Sequence, residues 1–333
     1  MTDGILITTK KTEMKKNNLI WGLGLLMGIF AGCSDGVDTI DIKKVLAQEQ
    51  KNIEAYLDKN AKTEIIKIPV SEQSQHIADM YVFNNDRTGT VAEDKEWVLV
   101  NYDLTNLNGY IFDTTDPAKA AGSGFTATFP YGGPVYCRVG DGSFVGLLAG
   151  YVGEGKKGNL LVPSPVMYSN GITHLYDMKV EKVVGKDLFS YEKEMIKRYM
   201  DEVYSNIPRE NILDVKSGDT TTYIVRTTLD SEGENIGAKD SVRVVCAAYL
   251  LDEVRDRDNL RQIIKLEGNK SVKWLVSDLI DGLRLSFPLL KVGDKADIIV
   301  PYGMAYEDKL FRGIPPYSTI IYQLEIKEKI AKK

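Results

Sequence analysis

The sequence predicts an α+β protein made of two successive modules, each a helix followed by a strand-rich domain. Three observations carry this. A chain of 333 residues with 43% hydrophobic content has apolar side chains enough for two separate cores. Two amphipathic helical patterns recur far apart. One puts Ile42, Val45, Leu46, Ile53, Tyr56 and Leu57 on a single face; the other, over 187–205, does the same with Leu188, Tyr191, Met195, Ile196, Tyr199, Met200 and Val203. Glu49, Ile53 and Tyr56 match Glu192, Ile196 and Tyr199 at a constant offset of 143 residues, an internal repeat too long for a solenoid and about right for a helix plus one domain.

Ahead of the first helix, residues 1–33 read as an address. From Met14, the expected translation start, Lys15 and Lys16 give a positive beginning, Leu19 to Ala31 an apolar run, and the small residues Ala31 and Gly32 precede Cys33. The A-G-C junction resembles a bacterial lipoprotein cleavage site, with Phe30 where leucine is usual, and the resemblance implies that Cys33 is acylated by fatty acid such as palmitate. An uncleaved anchor helix is the alternative, but a run this short spans roughly 20 Å at ~1.5 Å per residue, against a hydrocarbon core of roughly 30 Å. Both readings place the globular part outside the cytoplasm, on the periplasmic or cell-surface face of a membrane in a bacterial envelope.

Residues 34–61 form a polar tether and the first helix, and 62–185 the first domain. Val98, Val100, Tyr102 and Leu104 alternate along a half-buried strand, and His174, Tyr176, Met178 and Val180 along a closing one. Gly185 marks the boundary. Residues 186–214 make a linker helix that Asp187 can cap, and 215–330 the second domain, with Val242, Val244, Cys246 and Ala248 on one strand and 320–326 on its last.

Charged residues make up 27% of the chain, well mixed, with a net charge of −5, which lacks the basic footprint of a nucleic-acid partner. Two histidines and three cysteines give no cluster at metal-ligand spacing, so neither a metal nor another cofactor is expected. Cys137 and Cys246 fall in different domains and are expected to stay free even in an oxidising compartment.

The stretch 301–326, PYGMAYEDKLFRGIPPYSTIIYQLEI, holds Pro301, Ala305 and Tyr306, then Ile314, Pro315, Pro316 and Thr319, then an alternating strand. In the first domain Val100, Tyr102, Gly109, Phe112 and Asp113 follow the spacing V-x-Y-x-x-x-L-x-x-G-x-x-F-D, apart from Thr105 and Asn106 where other small residues are usual, and Gly155, Val162, Pro163 and Tyr168 lead to a short flap. In register, these pieces resemble the FKBP-type peptidyl-prolyl cis-trans isomerases. The resemblance implies two domains, each an antiparallel sheet half-wrapped around a short helix. It implies Tyr102, Phe112, Asp113, Tyr168 and Tyr306 as catalytic residues. Phe125, Leu147 and Tyr176 would line the first substrate cup, and Leu275, Val276, Leu279, Ile314 and Tyr322 the second. Leu147 and Leu279 stand where the family usually keeps a tryptophan, Cys246 replaces the strand tyrosine, and the charged run DEVRDRDNLRQ occupies the place expected for F-D.

The chemistry needs no nucleophile. Rotating an X-Pro bond meets a barrier of about 20 kcal/mol because amide resonance is lost in the twisted state. An apolar cup that desolvates the twisted imide, with a few polar groups to favour it, suffices. The implied function is an envelope lipoprotein that isomerises proline-containing segments of exported proteins as they fold. Two alternatives stay open, a non-catalytic peptide-binding chaperone or assembly subunit of an envelope complex, and a passive scaffold. Without the family register, alternating aromatics on strands are usually core.

Overall fold

The computed structural model describes residues 42–72, 75–122, 133–167, 171–229, 232–255, 257–265 and 270–330. The leader, Cys33, Phe125 and Tyr168 lie outside the described residues. Helix α1 (Ile42–Asn60) precedes a sheet of β1 (Ile66–Glu72), β2 (Gln75–Phe83), β3 (Trp97–Asn106), β4 (Ile111–Thr114), β5 (Val135–Arg138), β6 (Lys157–Val162) and β7 (His174–Gly185). Short helices α2 (Pro117–Gly122), α3 (Phe144–Ala149) and α4 (Ser164–Met167) lie between its strands. Helix α5 (Leu188–Val203) opens the second half, followed by β8 (Ile212–Ser217), β9 (Thr220–Thr228), β10 (Ser241–Leu251), β11 (Arg261–Lys265), β12 (Val272–Leu275), α6 (Asp281–Ser286), β13 (Lys295–Val300) and β14 (Thr319–Ile330). The second sheet therefore opens at Ile212, inside the stretch expected to be linker.

The first sheet runs β1-β2-β6-β7-β3-β4 with β5 beside β3, and the second runs β8-β9-β13-β14-β10-β11 with β12 beside β10. Strand for strand this is one topology used twice, and the pairings are antiparallel throughout. Period-two alternation sends each strand's apolar sets to two faces. On one face of the first sheet, Val82, Val98, Val100, Leu160, Met178 and Val180 pack with Leu148 and Ala149 of α3. On the other, Ile53 and Leu57 of α1 meet Tyr81, Phe83, Leu161 and Leu175. The second domain repeats both layers: Val242, Val244, Ile298 and Ile326 lie against Leu283 of α6, and Ile196 of α5 against Val225, Ile299 and Ile321.

The repeated glutamates explain how the long helices are held. Glu49 is buried and accepts hydrogen bonds from the Ser164 backbone N–H (2.8 Å), the Ser164 hydroxyl and the Thr173 hydroxyl (2.6 Å). Glu192, equally buried, accepts from the Tyr302 N–H (2.7 Å) and the Thr319 hydroxyl, both at Oε1. Ser164 and Tyr302 each follow the proline that ends the penultimate strand, and Thr173 and Thr319 sit at the start of the last. Each carboxylate thus ties a long helix to the two ends of its domain's flap segment. Helix α5 starts where expected, because Asp187 accepts from Ser190 N–H at 3.0 Å as its N-cap.

The two domains touch along β3 and β5 of the first. Burial first, and then the nearby charges of Glu192, Asp252 and Glu253, raise the pKa of the Tyr136 phenol. Trp97 packs edge-on to Tyr317 with ring centroids 4.9 Å apart. Within the charged run, Asp252 pairs with Arg255, and Glu253 with Arg198 and Tyr191, so those residues staple α5 to the end of β10.

Candidate functional site

The first domain's candidate site forms where β3, β4, β7 and α3 converge. The register of β3 against β4 slips between Leu104 and Thr105, which leaves Phe112 as the extra residue of a bulge and lets both Phe112 and Asp113 reach the face that carries Tyr102. The Tyr102 hydroxyl donates to Asp113 Oδ2 at 2.6 Å, and Asp113 Oδ1 accepts from the Thr114 N–H at 2.8 Å. Tyr176 lies 6.2 Å from Tyr102 and 6.0 Å from Phe144, centroid to centroid. Burial, with Asp113 adding to it, pushes the Tyr176 phenol up to about 12, so it stays a neutral donor at physiological pH. Phe112 sits between Tyr110 (5.2 Å) and His174 (4.9 Å), and burial lowers the His174 pKa. An uncharged ring there favours contact with an apolar ligand.

Helix α3 starts because Ser143 caps it, accepting from the Gly146 N–H at 2.9 Å. Its Phe144 packs against Tyr176, a role that the family register does not assign. Leu147 is half-buried and lines a groove with Met80, Val139, Phe144 and Tyr151. The Ser143-Phe144 step, a capping residue followed by an aromatic, was the signal available.

The second domain keeps the architecture and changes the chemistry. Tyr176 pairs with Leu104 and Leu160, and Tyr322 with Ala248 and Ile298, so Tyr322 occupies the place of Tyr176 and, two residues along, Cys246 that of Tyr102. The slip in β10 falls at the same point as in β3, pairing Ala248 with Ile264 where Leu104 pairs with Asp113. Ile263 and Ile264 therefore stand where Phe112 and Asp113 do. This corrects the expectation that DEVRDRDNLRQ fills that place: most of that run forms a longer connection, and the equivalent strand begins at Arg261. An apolar pair, Cys246 and Ile264, replaces the Tyr102–Asp113 hydrogen bond, and burial pushes the Cys246 thiol up to about 12.

Tyr306 stacks on Phe311 with centroids 4.3 Å apart and planes at 11°. Burial pushes the Tyr306 phenol up to about 12. Tyr322 is fully buried, and burial first, then the neighbouring Tyr306 phenol, holds its hydroxyl well above the usual phenol range. Ile314 is buried, and Val276 and Leu279 are core residues beneath α6. Leu275 is a correction. Alternation along β12 turns Trp274 inward at 4% exposure and leaves Leu275 39% exposed, outside any cup. Leu283 was missed: it is wholly buried in the first turn of α6, next to Gly282, where an added Cβ would overlap Val300 and Thr222. That glycine lets the helix lie directly on β9 and β13.

The sequence profile described as FKBP-type peptidyl-prolyl cis-trans isomerase matches residues 233–327. No curated protein matches the chain. Among solved structures, the three FKBP domains of wheat FKBP73 align at 13% identity over 76% of this chain and 95% of that one, with a TM-score of 0.31. A peptidyl-prolyl cis-trans isomerase from Pseudomonas syringae pv. tomato aligns at 14% identity over 43% and 94%, with a TM-score of 0.33. FkpA from Escherichia coli aligns at 20% identity over 42% of this chain and 64% of its own, with a TM-score of 0.30. The second domain carries the FKBP-type sequence pattern over residues 233–327, and the first domain repeats the second's topology strand for strand.

Proposed function

We propose that the first domain binds proline-containing peptide segments and accelerates their cis–trans isomerisation, while the second binds such segments without the same catalytic pair. The observation that carries this reading is the 2.6 Å hydrogen bond from Tyr102 to Asp113 at the edge of an aromatic cluster. Aromatic walls exclude the water that stabilises a planar, polar amide, and the twisted imide, with a smaller dipole, loses less on entering. Asp113 is held in one orientation by Tyr102 and Thr114, so it meets the ligand with little reorganisation. Each factor of ten in rate requires about 1.4 kcal/mol of selective stabilisation.

A non-catalytic chaperone is the second reading, favoured by the Cys246–Ile264 replacement in the second domain. A protease-coupled assay on a Leu-Pro peptide separates the two. The isomerase reading expects acceleration by the full chain and its loss in Asp113→Asn; suppression of client aggregation with no acceleration supports the chaperone.

The proposed setting is a bacterial envelope, with the chain lipid-anchored through acylated Cys33 and acting on exported proteins. The support is the apolar run followed by A-G-C in the sequence. Metabolic labelling with a fatty acid tests it: incorporation that persists in Cys33→Ala contradicts the anchor.

A further inference from the structure

We infer that residues 306–318 form a built-in lid over the second domain's cup, latched to the first domain through Tyr317. The inference rests on reading that cup as a peptide site. Phe311 and Ile314 close a two-residue hairpin with both backbone hydrogen bonds, Phe311 N–H to Ile314 O (3.1 Å) and Ile314 N–H to Phe311 O (2.9 Å). Arg312 (φ +48) and Gly313 (φ +81) supply the two left-handed residues that such a turn requires. The hairpin lays Phe311 flat on Tyr306 and covers one face of that ring.

The other end of the segment is fixed from outside the domain. Tyr317 adopts φ +59, a left-handed backbone that a bulky residue takes only where its surroundings impose it. Its N–H donates to Glu307 O at 2.8 Å, and its ring sits edge-on between Trp97 of the first domain (4.9 Å) and Tyr302 (5.6 Å). The Arg138 guanidinium lies over the Trp97 ring at 5.8 Å and backs the slot. Opening the lid therefore disturbs the packing between domains, and separating the domains frees the lid.

Amide hydrogen exchange on the full chain reads the latch without any ligand. Removing the edge-to-face ring pair, by Trp97→Ala or by Tyr317→Ala, should speed exchange about threefold to tenfold at Phe311, Ile314 and residue 317. Amides of the β13–β14 ladder, such as Ile299 and Ile321, stay unchanged. Tyr317→Ala guards against a folding defect at β3, since it removes the same ring pair from the side of the second domain. Unchanged exchange across 306–318 in both variants overturns the latch. A fluorescein-labelled Ala-Leu-Pro-Phe peptide then tests the plug: Phe311→Ala binds it at least threefold more tightly, with new protection over 306–322. An unchanged affinity with that same footprint overturns the plug. A loosened hairpin with no peptide footprint in the second domain leaves the lid standing and removes the peptide-site reading of that cup.

Discussion

Replacing Glu192 by glutamine should flatten the pH dependence of the second domain's stability. Burial pushes the Glu192 carboxyl up to about 7 from 4.5, against the opposing pull of the Thr319 hydroxyl and the Tyr302 N–H. The folded state therefore keeps its proton up to about pH 7 while the unfolded chain releases it from pH 4.5 upward. Stability is fully present below pH 4.5 and is lost as pH rises through 7, because over that window the folded state binds more protons. At 1.36 kcal/mol per unit, the part of that loss between pH 5 and pH 8 is about 2 to 3 kcal/mol. A glutamine side chain suits the site, since both donors meet Oε1, which an amide oxygen reproduces. Urea unfolding followed through Trp274, an indole in the second core, measures the difference. Glu192→Gln should gain about 2 to 3 kcal/mol on the native chain between pH 5 and pH 8. Parallel curves for the two proteins would refute the account of a carboxyl group held protonated by burial.

Thr319→Val removes a hydroxyl that lowers the Glu192 pKa, so the loss of stability should move to higher pH; a shift to lower pH contradicts the clamp. Tyr102→Phe leaves Asp113 Oδ2 without its donor and should cost about 1 kcal/mol in urea unfolding of the first domain. Gly282→Ala forces a methyl into Val300 and Thr222 and should cost about 1–3 kcal/mol in the second domain only. Burial pushes the thiols of both Cys137 and Cys246 up to about 12. An aromatic disulfide reagent at pH 8 should leave both unreacted until the chain is unfolded.

The strands and the duplication were legible because they rest on periodicity. Val98, Val100 and Tyr102 alternate, and Ile53 and Ile196 recur on helix faces that meet equivalent sheet positions. The matched Glu49 and Glu192 marked the repeat before their reason was visible, since a buried carboxylate's donors, Thr173 and Thr319, lie more than a hundred residues away. What failed were positions set by register. A bulge decides that Ile264 faces the place of Asp113, and a longer connection before β11 moved it beyond the charged run. Leu275 was misplaced because the inward residue of a four-residue strand cannot be read from so short a run. The Phe311 stack depends on a hairpin inside the flap, where Arg312-Gly313 was the only local sign.

Exchange spectroscopy on a Leu-Pro peptide, observing its cis and trans signals in the presence of catalytic amounts of the full chain, tests the central claim most directly. The account predicts faster interconversion with the wild-type protein, roughly a tenfold loss in Tyr102→Phe for about 1.4 kcal/mol of selective stabilisation, and little change in Tyr306→Phe. Interconversion no faster than in the peptide alone, or a rate abolished by Tyr306→Phe and untouched by Tyr102→Phe, would contradict it.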